Sequence, residues 1–229
     1  MKYLLLLKRF LALILVSMLF TALLSGCASQ PKNIVNYAKS DKDYLALKQT
    51  IINQVANTDT FDRILAVYPL TSFYQPNDDK QAAGKLLTET YIEEGQYQAC
   101  INAANEMLAQ NYTSLTGHHA ASLCAQGLGD ERLARFHTYV LDSLIEAIWR
   151  TGDGQSPQQA LHINSSIDLY AFIQLHQLVA VGQDLVYLQQ IPIQKMTVQA
   201  PENQRRFTWF FDVTPQFRRG LLDKAEGRN

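Results

Sequence analysis

The chain has 229 residues, 47% of them hydrophobic, with 20 basic side chains against 21 acidic ones. That is enough apolar material to bury a core in one or two domains. A formal charge of −1 excludes the clustered basic surface by which nucleic-acid binders hold phosphate, so no nucleic-acid partner is expected.

The chain opens on an address. Lys2, Lys8 and Arg9 accompany an apolar run from Phe10 to about Leu24, which ends at Leu24-Ser25-Gly26-Cys27. A positive segment stays on the cytoplasmic side while the apolar stretch inserts. The ending resembles the lipobox of bacterial lipoproteins, with Leu24, Ser25 and Gly26 as signal-peptidase recognition residues and Cys27 as the lipid attachment site. The alternative is an uncleaved span, but the run is slightly short of the roughly 17 residues that cross a bilayer. It also leaves the Ser-Gly-Cys ending unexplained. The resemblance implies a diacylglyceryl group on Cys27, cleavage before it, and acylation of the new amine, for which palmitate is the expected chain. At about 0.8 kcal/mol per buried methylene, several chains make release negligible. Ala28 stands where an aspartate would favour the inner membrane in that class. The implied location is therefore the inner leaflet of the outer membrane, with the folded part in the periplasm. Loss of residues 1–26 removes three basic residues and no acid, leaving 17 against 21. The mature charge is near −4, which argues against an electrostatic grip on anionic lipid.

Residues 27–40 are polar and aperiodic and read as a tether. Behind Ser40 and Asp41, taken as cap residues, Tyr44, Leu47, Ile51 and Val55 recur at helical spacing, and Phe61, Ile64, Leu65 and Tyr68 supply a second helix before Pro69. Pro76-Asn77-Asp78 marks the loop that follows.

The middle of the chain carries an internal repeat. Gly95-Gln96-Tyr97-Gln98-Ala99-Cys100 and Gly129-Asp130-Glu131-Arg132-Leu133-Ala134 are offset by 34 residues, the tetratricopeptide period. Each reads as the turn between antiparallel helices, with Leu87, Tyr91, Ala104 and Met107 packing in the first unit and Ala121, Ala125, Ala134 and Leu141 in the second. Small residues at Cys100 and Ala134 let helix axes approach, and Tyr91 and Tyr97 fill the groove beside them. A generic helical hairpin bundle fits the same pattern, and both readings are helical from about Lys80 to Trp149. Two repeats leave their outer faces bare, so the N-terminal helices and the C-terminal third are expected to cover the ends.

The period then changes from 3.6 to 2. Ser165-Ser166 caps a helix through about Leu178. Leu185–Leu188 and Ile191–Val198 read as strands, with Pro192 confining its segment to an edge or bend. Ala200-Pro201-Glu202-Asn203 forms a loop into a strand whose Phe207, Trp209, Phe211 and Val213 share one face. The predicted fold is α+β: tetratricopeptide-like helical hairpins in residues 41–150, then residues 151–229 as a small, mainly antiparallel β-sheet region packed on them.

Thr151-Gly152-Asp153-Gly154, Asp168-Leu169-Tyr170, Gln183-Asp184-Leu185 and Phe210-Phe211-Asp212-Val213 resemble a bacterial family of exported, tetratricopeptide-like proteins known as domain of unknown function 4919. The resemblance spans most of the mature chain. It carries no activity or ligand. Ile167-Asp168 stands where an acidic pair is usual in the family.

Chemistry-bearing residues are sparse. Gly152-Asp153-Gly154 reads as a helix C-cap and turn, and Gln155 to Gln159 lack the acidic series of a calcium loop. His118 and His119 are adjacent and lack an i+4 partner of metal-ligating type, while His137, His162 and His176 are isolated. A triad of Ser165 or Ser166, His162 and Asp168 has no nucleophile turn around it. Arg205-Arg206 and Arg218-Arg219 read as solvated surface. Cys100 and Cys124 lie on neighbouring helices in repeat geometry and form either a disulfide or two buried thiols. No catalytic, cofactor or metal site is expected. The reading is a lipid-anchored protein-interaction module with another envelope protein as partner. The alternatives are a binder of a small molecule or cell-wall fragment in a cleft lined by Tyr91, Tyr170 or Trp209, and, third, a hydrolase.

Overall fold

In a computed structural model, residues 35–76 and 79–225 are described, with side chains as far as Leu221. The segments read as signal peptide and lipobox, and most of the one read as a tether, lie outside them. The described residues from Asn36 onward form one compact unit.

Helix α1 (Tyr37–Ile52) opens earlier than the sequence suggests. Asn36 caps it by accepting the Lys39 N–H at 3.1 Å, and Ser40 is a buried residue inside the helix. Residues 37–40 of the segment read as a tether thus belong to the helix, and Val55 lies past the helix end. Asn57 and Thr60 form a reciprocal capping box at the start of α2 (Thr58–Val67), and a 3₁₀ turn at Tyr68–Leu70 follows.

Two helical hairpins come next: α3 (Asp79–Glu93) with α4 (Tyr97–Gln110), and α5 (Leu115–Gly127) with α6 (Glu131–Trp149). Both turns are built alike. Gly95 and Gly129 have φ of +69° and +74°, and the following N–H groups of Gln96 and Asp130 reach back to the Tyr91 and Ala125 carbonyls. Two equivalent Schellman motifs thus sit one repeat apart. Cys100, Ala121, Ala125 and Ala134 are buried at the helix contacts, as the small residues predict. The Tyr97 ring lies over Gly127 in the next hairpin, where a Cβ would overlap it.

Two expectations fail here. Leu87 faces solvent with its neighbour Leu86, and the inner face of α3 is made instead by Gln81, Gly84 and Thr88. Gly84 leaves the space that Met107 fills. The N-terminal pair also does not extend the stack ahead of α3. Instead α2 packs on α6, whose apolar stripe of Val140, Leu144, Ala147 and Ile148 needs a cover. Phe61 meets Tyr139 edge-on at 5.8 Å, and the Tyr44 hydroxyl accepts the Tyr112 N–H at 2.9 Å.

The C-terminal third adds β1 (Leu161–His162), α7 (Ser166–Leu175), β2 (Val179–Leu188), β3 (Ile191–Gln199), β4 (Arg206–Asp212) and α8 (Thr214–Ala225). The sheet order is β1-β4-β3-β2. Two pairings are antiparallel, and β1 runs parallel to β4. Strand β2 begins six residues before its predicted start, because Val179 to Asp184 pair with Lys195 to Gln199 in spite of their weak alternation. Pro192 stands in an interior strand rather than at an edge. It is tolerated beside the tight β2–β3 turn, where its carbonyl still accepts the Val213 N–H. Helix α8 has no counterpart among the predicted elements, the last of which is the strand ending in Val213. Trp209 and Phe211 join Phe172 and Trp149 in an aromatic core between sheet and helices.

Candidate functional site

The triad that could be drawn through Ser165 or Ser166, His162 and Asp168 does not assemble. Asp168 is buried, and its carboxylate accepts the Leu115 N–H at 2.9 Å and the Ser165 hydroxyl at 2.8 Å. It thereby caps α5 and lies in the first turn of α7, a position both helix dipoles favour. Burial nevertheless outweighs these bonds and raises its carboxyl to about 6. His162 lies elsewhere, with Nε2 3.2 Å from Asp212 Oδ2.

Two more histidines have structural partners that sequence spacing did not reveal. His118 and His137 meet Nδ1 to Nδ1 at 3.0 Å inside the helical core, and His118 Nε2 lies 2.9 Å from the Tyr112 carbonyl. A carbonyl only accepts, so His118 carries its hydrogen on Nε2 and receives one from His137 at Nδ1. Burial drives both away from protonation, to about 3 and about 4. His176 is fixed in the other tautomer: it donates to the Phe172 carbonyl at 2.7 Å and accepts the Trp149 indole N–H at 3.0 Å.

Cys100 and Cys124 have Cα atoms 5.8 Å apart and their sulfurs in bonding contact across α4 and α5. Arg205 and Arg206 are exposed, as expected. Arg219 is not: it is buried beside Tyr37, the guanidinium 6.0 Å from the ring centre. Among the described residues, no group of three or more metal-ligating side chains converges.

Among the described residues, two concavities reach about 420 Å³ or more. A groove of about 420 Å³ runs between α3, α5 and α7, floored by Thr88, Ala120, Leu123 and Ala171 and rimmed by Lys85, Glu89, Glu93 and His119. Lys85 and Glu89 pair at 3.6 Å. Elsewhere on α3, Leu86 and Leu87 lie outside the groove lining and are 66% and 46% exposed.

The second is a cleft of about 590 Å³ where α2, the end of α6, β1, β4 and α8 meet. One wall is apolar, from Leu65, Ala66, Pro69, Leu70 and Ile191; the other holds His162, Asp212, Thr214 and Arg218. Asp212 accepts the Thr214 N–H at 2.8 Å while it orients His162. Arg150 is held by Asp62 through Nε at 2.8 Å and a terminal nitrogen at 2.7 Å. The Thr151 hydroxyl donates to the Ile148 carbonyl and accepts the His162 N–H, so it is committed to structure. The aromatics expected to line a cleft are elsewhere: Trp209 is in the core, Tyr91 packs against it, and Tyr170 is exposed and bonded to Gln183.

The family described as Domain of unknown function (DUF4919) matches residues 34–216. The chain belongs to this family. No curated protein and no solved structure matches it. Within the DUF4919 domain, the segments that carry the resemblance turn out to be stitches between the helices and the sheet. Gly154 accepts the Phe210 N–H at 3.0 Å, and its own N–H donates to the Gln159 carbonyl. Tyr170 donates to Gln183 at 2.7 Å, and Asp168 joins α7 to α5. Only Thr151 and Asp212 of these segments reach the cleft. The pairing of His162 with Asp212, 50 residues apart, had no local signal beyond the family segment that ends in Asp212.

Proposed function

We propose that this DUF4919 protein is a lipoprotein, held through Cys27 in the inner leaflet of the outer membrane, that docks a segment of another envelope protein on its first helical hairpin. The observation that carries this reading is the groove between α3, α5 and α7 with its charged rim, on a helix that also exposes Leu86 and Leu87 outside the groove. A lone exposed leucine is ordinary on a protein surface; a concave, polar-edged channel walled by a helix with further exposed apolar residues favours an interaction site. Lipid anchoring supports the reading from the membrane side, because confinement to one leaflet raises the local concentration of both partners. Among the described residues no helix is long and apolar enough to cross a membrane.

Photo-crosslinking in cells tests it, with the reactive residue placed at Leu86 or, as a control, at exposed Val55. A defined adduct from position 86 is expected, weakened when His119→Glu alters the groove and when Cys27→Ser releases the protein from the membrane. Equal labelling from both positions, or none from position 86 in the membrane-bound protein, refutes the docking face.

A further inference from the structure

The cleft between α2, β1 and α8 is on a different surface from the α3 groove, and nothing in the docking reading uses it. Its two walls differ in chemistry. Leu65, Ala66, Pro69 and Leu70 form an apolar side, whereas Arg218, His162 and Thr214 form a polar side across from it. Such a pairing of a broad apolar surface with a few convergent polar groups, in a volume of this size, is the usual makeup of a small-molecule site.

The polar wall is selective by charge. Arg150 is neutralised by Asp62, and Asp212 faces His162. Arg218 lies one helical turn beyond Thr214 on α8, is exposed, and has no ion-pair partner among the described residues. The Thr214 hydroxyl is buried and likewise without a hydrogen-bond partner, at a position where a buried polar atom ordinarily has one. Asp62 thus answers Arg150 and Asp212 answers His162, which leaves the Arg218 guanidinium unanswered. One negative charge balances it. A dianion would bring a second charge for which no unpaired cation among the described residues lines the cleft. The geometry points to a binding site for an amphipathic monocarboxylate, its head on Arg218 and the Thr214–His162 wall and its aliphatic body along Leu65, Pro69 and Leu70. His162 is a positioning residue for the head, itself held by Asp212.

The test uses the full mature chain carrying Cys27→Ser, with decanoate as probe and isothermal titration calorimetry as readout. One-to-one saturable binding is expected. Arg218→Gln weakens it at least tenfold and Thr214→Val at least threefold, with thermal unfolding unchanged for both. Decanol, which lacks the charge, and acetate, which lacks the chain, each bind at least tenfold more weakly. Absence of saturable decanoate binding up to millimolar concentration overturns the site. Equal affinity for decanol, or for decanoate in the Arg218→Gln protein, overturns the role of the charge. Decyl phosphate binding as tightly as decanoate at a pH where it is a dianion overturns the assignment to a monoanion. None of these results bears on crosslinking from position 86, so the two proposals fail separately.

Discussion

Gln54 and Gln177 end their helices in left-handed backbone, with φ of 59° and 58°, and each makes the same pair of backbone bonds as Gly95 and Gly129. A side-chain-bearing residue is disfavoured there by roughly 1–2 kcal/mol, partly offset by the entropy that glycine loses on folding. Both glutamines are exposed. Gln54→Gly and Gln177→Gly should therefore each stabilise the fold by about 0.5 kcal/mol, read as a raised urea midpoint at constant slope. A fall in the midpoint would mean that the glutamine side chains contribute more than the backbone costs. Asp168 poses the opposite case, a charge retained in the core for its geometry. Asp168→Asn keeps an oxygen for the Leu115 N–H and offers an amide to Ser165, so its cost at pH 7.5 should stay below about 1 kcal/mol. Asp168→Ala leaves that N–H buried and unpaired and should cost about 2 kcal/mol. Equal losses for the two variants would count against the capping role.

The hairpins show at element scale what sequence can and cannot carry. Gly95, Gly129 and the alanines between them were legible because close helix packing and a tight turn restrict residue type locally, and both restrictions repeat at 34 residues. Leu87 was misplaced because its inward alternatives, Gly84 and Thr88, hide a packing face that relies on Met107 from the next helix. The placement of α2 on α6 and the His162–Asp212 contact depend on where distant segments travel, which no periodicity records. Tyr97 makes the packing testable. Glycine to alanine in a helix normally gains about 1 kcal/mol, but at Gly127 the added methyl would overlap a ring wedged between hairpins. Gly127→Ala should instead lose about 1–3 kcal/mol, as overpacking does. Gly84→Ala should lose less, since the flexible Met107 side chain can yield; the opposite ranking in denaturant melts would refute the account. The contact of Cys100 with Cys124 ties the same hairpins together. In protein exported to an oxidising compartment it should slow migration on reduction and stabilise by roughly 3 kcal/mol for a loop of this length. Two thiols freely alkylated in denatured, unreduced protein would exclude it.

Across the whole molecule, the buried ionisable groups set how the fold responds to acid. His118 stays neutral in the folded state until pH falls to about 3, whereas an unfolded histidine protonates near 6.5. The unfolded chain therefore binds more protons in that interval. The contribution of His118 is complete above pH 6.5 and is lost as pH falls, by about 2 kcal/mol between pH 7.5 and 5. His137 works in the same direction, because burial lowers it too. Asp168 works against both: its folded carboxyl takes a proton near 6 and the unfolded one near 3.9, so acidification through that window returns roughly 1 kcal/mol. The histidine loss prevails, and the protein should be less stable to urea at pH 5.0 than at pH 7.5. His118→Gln, which keeps a donor for the Tyr112 carbonyl, should flatten that dependence, while Asp168→Asn should steepen it. A wild-type protein equally stable at both values would show that the His118–His137 pair accepts a proton in place, and that the helical core is more open to water than its packing implies.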